Sequence, residues 1–155
     1  MAGSAVELDL SELNKFTGEL AAAMNRLAML DQVQLLHDLS VEMEGQTAER
    51  FEDKEAPDGS SWKTWDPKYA ERKRKSGSGG SILQDSGQLR RSITGAVEST
   101  GLVVGSREVY ARVHQEGWPD KNIPARPYLG ITQENQDDLV TIMIDFVKRA
   151  SGGVL

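Results

Sequence analysis

Cysteine is absent from the 155 residues, which excludes disulfides and thiolate metal sites and fits synthesis in a reducing compartment. No apolar run approaches the ~20 residues needed to span a bilayer, so no membrane contact is expected. The N-terminus has neither a basic n-region nor an apolar h-region, so no secretory signal is expected. Aromatic residues are scarce at 6%, hydrophobic residues make up 38%, and mean hydropathy is −0.47. That supports a modest core, below the apolar share of a compact enzyme, and implies long exposed segments or surface buried only on assembly. Only two histidines are present, His37 and His114, far apart in the chain. No nucleophile is accompanied by a base, so the chain is not expected to be an enzyme or to carry a cofactor or metal.

Charge is present but segregated. Residues 1–61 hold four Lys/Arg against thirteen Asp/Glu, net −9. Residues 62–91 hold eight against three, net +5, and residues 92–155 six against eight, net −2. An acidic body with one basic segment predicts head-to-tail self-association or a localised contact with an anionic partner. A general nucleic-acid binder would be basic overall, and this chain is −6.

The periodicity predicts an α+β domain over 1–155. Residues 1–10 are loose or a short strand. Ser11 caps a first amphipathic helix with Leu13, Phe16, Leu20, Met24 and Leu27 on one stripe. A longer helix over about 32–53 follows, with Leu36, Leu39, Met43, Thr47 and Phe51 at the same spacing. Pro57-Asp58-Gly59 is a turn, opening a flexible arm at about 57–88. Within the arm, Asp66-Pro67 starts a short helix to Lys75. Ser76 to Ser81 is a Gly/Ser joint, and Asp85 or Ser86 caps one turn around Leu89. Ile93 to Glu98 and Leu102 to Gly105 form a hairpin. Tyr110 to Glu116 fits either a strand or a short helix, with a short helix ended by Gly117 preferred. A last amphipathic helix over about 133–150 is expected to pack on the sheet. Helices, a small antiparallel sheet, then a closing helix make the class α+β.

The least generic stretch runs from Tyr110 through His114, Gln115 and Gly117 to Ile123-Pro124-Ala125-Arg126-Pro127-Tyr128-Leu129-Gly130. Proline fixes φ near −65° and biases the preceding residue away from helix. Ile123 to Tyr128 therefore reads as one stiff, extended segment with Arg126 aimed in a fixed direction, for a salt bridge or a partner contact. His114, in apolar and aromatic company, reads as a structural hydrogen-bonding residue. Asp38 with Glu42 reads as a solvated helical face before it reads as an ion site. Glu116 with Asp120 lacks companions for acid–base work. Ser78-Gly79-Gly80 lacks the ending of a phosphate loop. Arg72-Lys73-Arg74-Lys75 favours protein contact over phosphate binding, and Trp62 and Trp65 read as core or interface aromatics before base platforms.

These pieces together resemble the phage virion morphogenesis family, which includes tail completion proteins and relatives in Mu-like phages. The resemblance rests on Phe51, Pro57, Gly59, Trp62, Leu83, Gly87, Leu89, Tyr110, His114, Gln115, Gly117, Pro124, Pro127, Tyr128 and Gly130. It runs from Met43 to the last helix. Ser86 and Tyr128 stand where the family favours threonine and phenylalanine.

What the resemblance implies is a structural protein of the tailed-phage virion, made in the bacterial host cytoplasm. It would complete or terminate the tail at its head-proximal end as a ring, commonly of six copies. Its partners would be itself, the tail tube, and the sheath or the neck and connector proteins, with transient contact to passing DNA. A neck or head-completion role is the near alternative, and a small nucleic-acid-binding protein the distant one. The expected subunit and partner contacts are Trp62, Trp65, Arg72, Lys73, Arg74, Lys75, Arg90, Arg91 and Arg126. The arm would reach the next subunit with Trp62 or Trp65 as buried anchor. Deleting Ser60 to Gly80 is then expected to abolish the ring and leave a folded monomer.

Overall fold

The computed structural model describes residues 4–9, 32–77, 80–98 and 101–150. The helix expected from Ser11 lies outside the described residues, as do Ser78 and Gly79 of the Gly/Ser joint. β1 (Ser4–Asp9) confirms the short N-terminal strand. Then come α1 (Gln32–Asp53), α2 (Pro67–Lys75) and the single-turn α3 (Gln88–Arg91). A hairpin of β2 (Ile93–Val97) and β3 (Gly101–Ser106) follows, then α4 (Ala111–Glu116), a 3-10 turn (Pro119–Lys121) and α5 (Gln133–Ala150). The sheet is antiparallel in the order β1-β3-β2, pairing Val6 with Val104 and Gly95 with Val104 on opposite sides of the central strand. The architecture is α+β.

α1 lies across the sheet because its inward stripe is apolar: Leu35, Leu36, Leu39, Met43 and Phe51 are buried against Leu102, Val104 and Ile93. Contact is closest at Gly95, where an added Cβ would stand 1.7 Å from the Ser40 hydroxyl oxygen. The missing side chain lets Glu44 accept a hydrogen bond from the Gly95 N–H at 2.7 Å. A carboxylate thereby occupies a donor on the sheet's exposed edge.

α5 starts on a reciprocal cap. The Asn135 N–H donates to the Thr132 hydroxyl at 3.0 Å, and the Thr132 N–H donates to Asn135 Oδ1 at 3.1 Å. That satisfies two N-terminal donors which the helix itself cannot. The packing of α5 corrects one expectation: its main partner is α1, not the sheet. Leu139, Met143 and Val147 are buried, and the polar links Gln46 to Asp138 and Arg149 to Asp38 run between the two helices. A third link joins the Arg50 guanidinium to Asn135. Periodicity gives a helix its apolar face but does not say which neighbour covers it.

A braced loop and the cleft beside it

α1 ends at Lys54 in the left-handed region (φ 60°), and the turn through Gly59 (φ 77°) brings the chain back. The Trp62 N–H then donates to the Lys54 carbonyl at 2.7 Å. That return lays Trp62 edge-on against Phe51, with ring centroids 5.4 Å apart, and Tyr128 also packs on Phe51 at 5.2 Å. The three rings form the centre on which the proline-flanked loop rests.

Gln115 is the main brace of that loop. Its Oε1 accepts from the N–H groups of Tyr128 and Leu129, both at 3.0 Å, and its Nε2 donates to the Leu129 carbonyl at 2.9 Å. One side-chain amide thus replaces a strand neighbour for a backbone that proline keeps out of any ladder. Further struts meet the same loop. Trp62 Nε1 donates to the Pro127 carbonyl at 2.7 Å, and Arg50 to the Tyr128 carbonyl at 3.2 Å. The Tyr128 hydroxyl donates to the Ala111 carbonyl at 3.2 Å, and the Arg126 N–H to the His114 carbonyl at 2.8 Å. Burial holds the Tyr128 phenol well above its ordinary value.

Two glycines permit the approach. Gly117 has φ 81°, and a Cβ there would lie 2.7 Å from the Ala125 nitrogen. A Cβ on Gly130 would lie 2.5 Å from Pro57 Cγ. Of the other motif residues, Leu89 is buried, and Leu83 and Tyr110 pack at the edge of the core. Gly87 occupies the cap position of α3 in the left-handed conformation (φ 70°), and Ser86, one of the two expected caps, accepts from the Gln88 N–H at 3.3 Å.

The expected surface contacts divide. Trp62 is only 4% exposed and belongs to the chain's own core, which corrects its place as an anchor for a neighbouring subunit. Arg126 is 6% exposed. It makes no salt bridge within the described residues, but donates to the carbonyls of Lys63 at 2.7 Å and Thr64 at 3.3 Å. Deleting Ser60 to Gly80 would therefore remove core, not merely an arm. The arm is also tied at its far end: Lys73 pairs with Asp85, and Gln84 donates to the Phe51 carbonyl.

Trp65 remains half-buried against Tyr69, and Arg72, Arg74 and Lys75 are exposed on α2. Arg90 pairs with Glu52, and Arg91 donates to the Ser86 carbonyl. The His114 ring makes no hydrogen bond; it stands edge-on to Tyr110 with its Nδ1 buried and unpartnered, contrary to the expected hydrogen-bonding role. Burial, and secondarily Arg126, holds its pKa below the ordinary value.

Between the arm, the 81–89 segment and the braced loop opens a cleft of about 1360 Å³. Trp65, Tyr69 and Tyr110 give it aromatic walls, and Lys63, Arg72 and Lys121 line it too. Acid–base pairs do not assemble: Glu116 is paired with Arg112, and Asp38 and Glu42 are engaged by Arg149 and Gln46. Among the described residues no cluster of His, Asp and Glu is arranged to hold a metal ion. None of their helices is long and apolar enough to cross a membrane.

The sequence offered Arg50 only beside Phe51 in the family resemblance, Glu44 only as part of an acidic helix face, and Gly95 no role. Each had a faint signal. Arg50 is a charge on the buried stripe of α1, and Gly95 is a lone glycine inside a strand pattern, which marks close backbone approach.

What the fold defines is a small α+β module in which Gln115, Trp62, Arg50 and Tyr128 brace one loop beside a cleft. Residues 8–148 match the phage virion morphogenesis family, and the chain belongs to it. It is 34% identical over 101 residues to the putative capsid assembly protein G of Escherichia phage Mu, covering 60% of this chain and 65% of that one. It is 30% identical over 135 residues to the Mu-like prophage FluMu G protein 2 of Haemophilus influenzae, covering 83% and 88%. No solved structure matches. The chain is thus a phage structural or assembly protein.

Proposed function

We propose that this chain acts as a closed ring at the head-proximal end of a phage tail, completing or terminating the tail and enabling head–tail joining. The supporting observation is charge segregation. α2 presents Lys68, Arg72, Arg74 and Lys75 at the surface, while exposed faces of α1 carry Glu49, Glu52 and Asp53. Complementary patches on different parts of one chain make a head-to-tail contact, and such contacts give rings when the rotation closes. On this reading the virion is its location, and the tail tube, the sheath, or the neck and connector proteins its partners.

Light-scattering mass on a sizing column, at several concentrations and two salt levels, tests the ring. Six copies of 17.0 kDa give about 102 kDa. A closed ring that caps purified tail tubes is the expected result; a 17.0 kDa species that ignores tubes would overturn it. A second placement, on the head side at the neck, is favoured by the Mu relative's description as a putative capsid assembly protein. Retention on connectors but not on tubes would select it. Salt weakens a ring contact built on complementary charge as well as DNA binding through α2, so retention of duplex DNA by the chain, not salt sensitivity alone, separates the two.

A further inference from the structure

Arg126 is a cation buried to 6% exposure whose hydrogen bonds all go to neutral backbone carbonyls. It has no ion pair, and neither do Lys63, Arg72 or Lys121, which line the same cleft. A buried charge without a counter-charge carries a desolvation cost that an incoming anion would offset. His114, which also lines the cleft, has the unpartnered buried Nδ1.

A second mismatch lies elsewhere on the chain. Glu49 and Asp53, one turn apart near the C-terminal end of α1, are exposed and form no salt bridge, although the neighbouring Arg50 exerts some attraction on Glu49. Carboxylates near the negative end of a 22-residue helix are misplaced with respect to its dipole.

We infer that the cleft is a carboxylate receptor for a second copy of this chain, and that it takes the C-terminal end of the neighbour's α1, led by Glu49 and Asp53. The inference rests on the self-association reading above and assigns its contact. Each mismatch supplies what the other lacks. Trp65 and Tyr69 give the receptor apolar walls of the kind found at interface centres. Three carboxylates, Asp66, Asp85 and Glu116, also line the cleft, the last two paired with Lys73 and Arg112, so its cations are separate points and not the continuous basic track that a phosphate backbone follows. The arrangement therefore suits one or two carboxylates better than nucleic acid.

Two charge-reversal variants test it: Lys63→Glu with Arg72→Glu in the cleft, and Glu49→Lys with Asp53→Lys on α1. All four residues are exposed, and circular dichroism checks that each variant folds. If a reversal unfolds the chain, the milder Lys63→Gln with Arg72→Gln and Glu49→Gln with Asp53→Gln replace it with the same single-variant readout. Light-scattering mass should show association for the unmodified chain and a fall to 17.0 kDa for each variant alone. An equimolar mixture of the two reversals should regain the mass, because each cleft then meets a helix end of opposite sign. A variant that keeps the full mass overturns this contact and leaves the ring standing, as does a mixture of reversals that stays monomeric. An unmodified chain that stays at 17.0 kDa alone and with tail tubes removes the self-association reading and this contact together. Salt-sensitive retention of short duplex DNA by the unmodified chain, lost in the cleft variant, gives the cleft to phosphate instead.

Discussion

Gln115 shows how much one side chain can carry when its neighbours cannot help themselves. The backbone at Tyr128 and Leu129 follows a proline and faces no strand, so both its N–H groups and the Leu129 carbonyl depend on that single amide. Gln115→Leu keeps the volume and strands those groups, so a loss of about 2–4 kcal/mol is expected from the usual ~1–3 kcal/mol per unsatisfied buried group. Urea unfolding would measure it, and a loss under about 1 kcal/mol would mean water replaces the amide. His114 makes a separate prediction. Its folded pKa lies below the ordinary 6.5, so the unfolded chain binds a proton that the folded chain resists. The stability from this group is complete above pH 6.5 and is lost as pH falls below it. Melting temperature should drop between pH 7.5 and 5.5, above the usual range of carboxylates, and His114→Phe should flatten that drop. An unchanged slope in the variant would assign the effect to other groups.

At the scale of elements, residue pattern and structure agree where local rules decide. The 3.6-residue period placed α1, the Asp66-Pro67 start placed α2, and Gly117 ended α4. The hairpin came from its alternation and turn residues. What was not legible depends on long-range partners. Trp62 and Trp65 look alike in sequence, yet the turn through Gly59 returns the first onto Phe51 and leaves the second beside Tyr69. Arg126 bonds to backbone carbonyls, and carbonyls are present at every residue, so no pattern of side chains could announce it. The same holds for α5, whose apolar face is plain but whose cover is α1. The two tryptophans make this testable. Trp62→Ala should cost about 3–5 kcal/mol, as for other fully buried aromatics. Trp65→Ala should cost no more than about 1.5 kcal/mol, the value of one aromatic pair. Equal losses in urea titrations would mean that both rings serve the core.

At the scale of the whole molecule, the chain leaves apolar surface for which its own fold has no use. Val33 and Val41 are 71% and 56% exposed on one stripe of α1, and Trp118 stands 44% exposed above a closed turn. That turn is held by the paired backbone bonds between Trp118 and Ile123, so the ring is presented rather than merely loose. On the self-association reading, this surface, with the cations of the cleft and the carboxylates near the end of α1, is what a second copy would cover. Covering it must stabilise the covered state by mass action, since a partner that binds only the folded chain adds its binding free energy to folding. Melting temperature should therefore rise with protein concentration once association begins. A tenfold increase adds about 1.4 kcal/mol for each contact coupled to folding. A domain of this size gains about 2–4 °C per kcal/mol, so the rise should be several degrees per decade. Differential scanning calorimetry across two decades would read it directly. A melting temperature that stays flat across that range, with a mass of 17.0 kDa throughout, would mean the free chain folds alone and waits for another particle component to cover it.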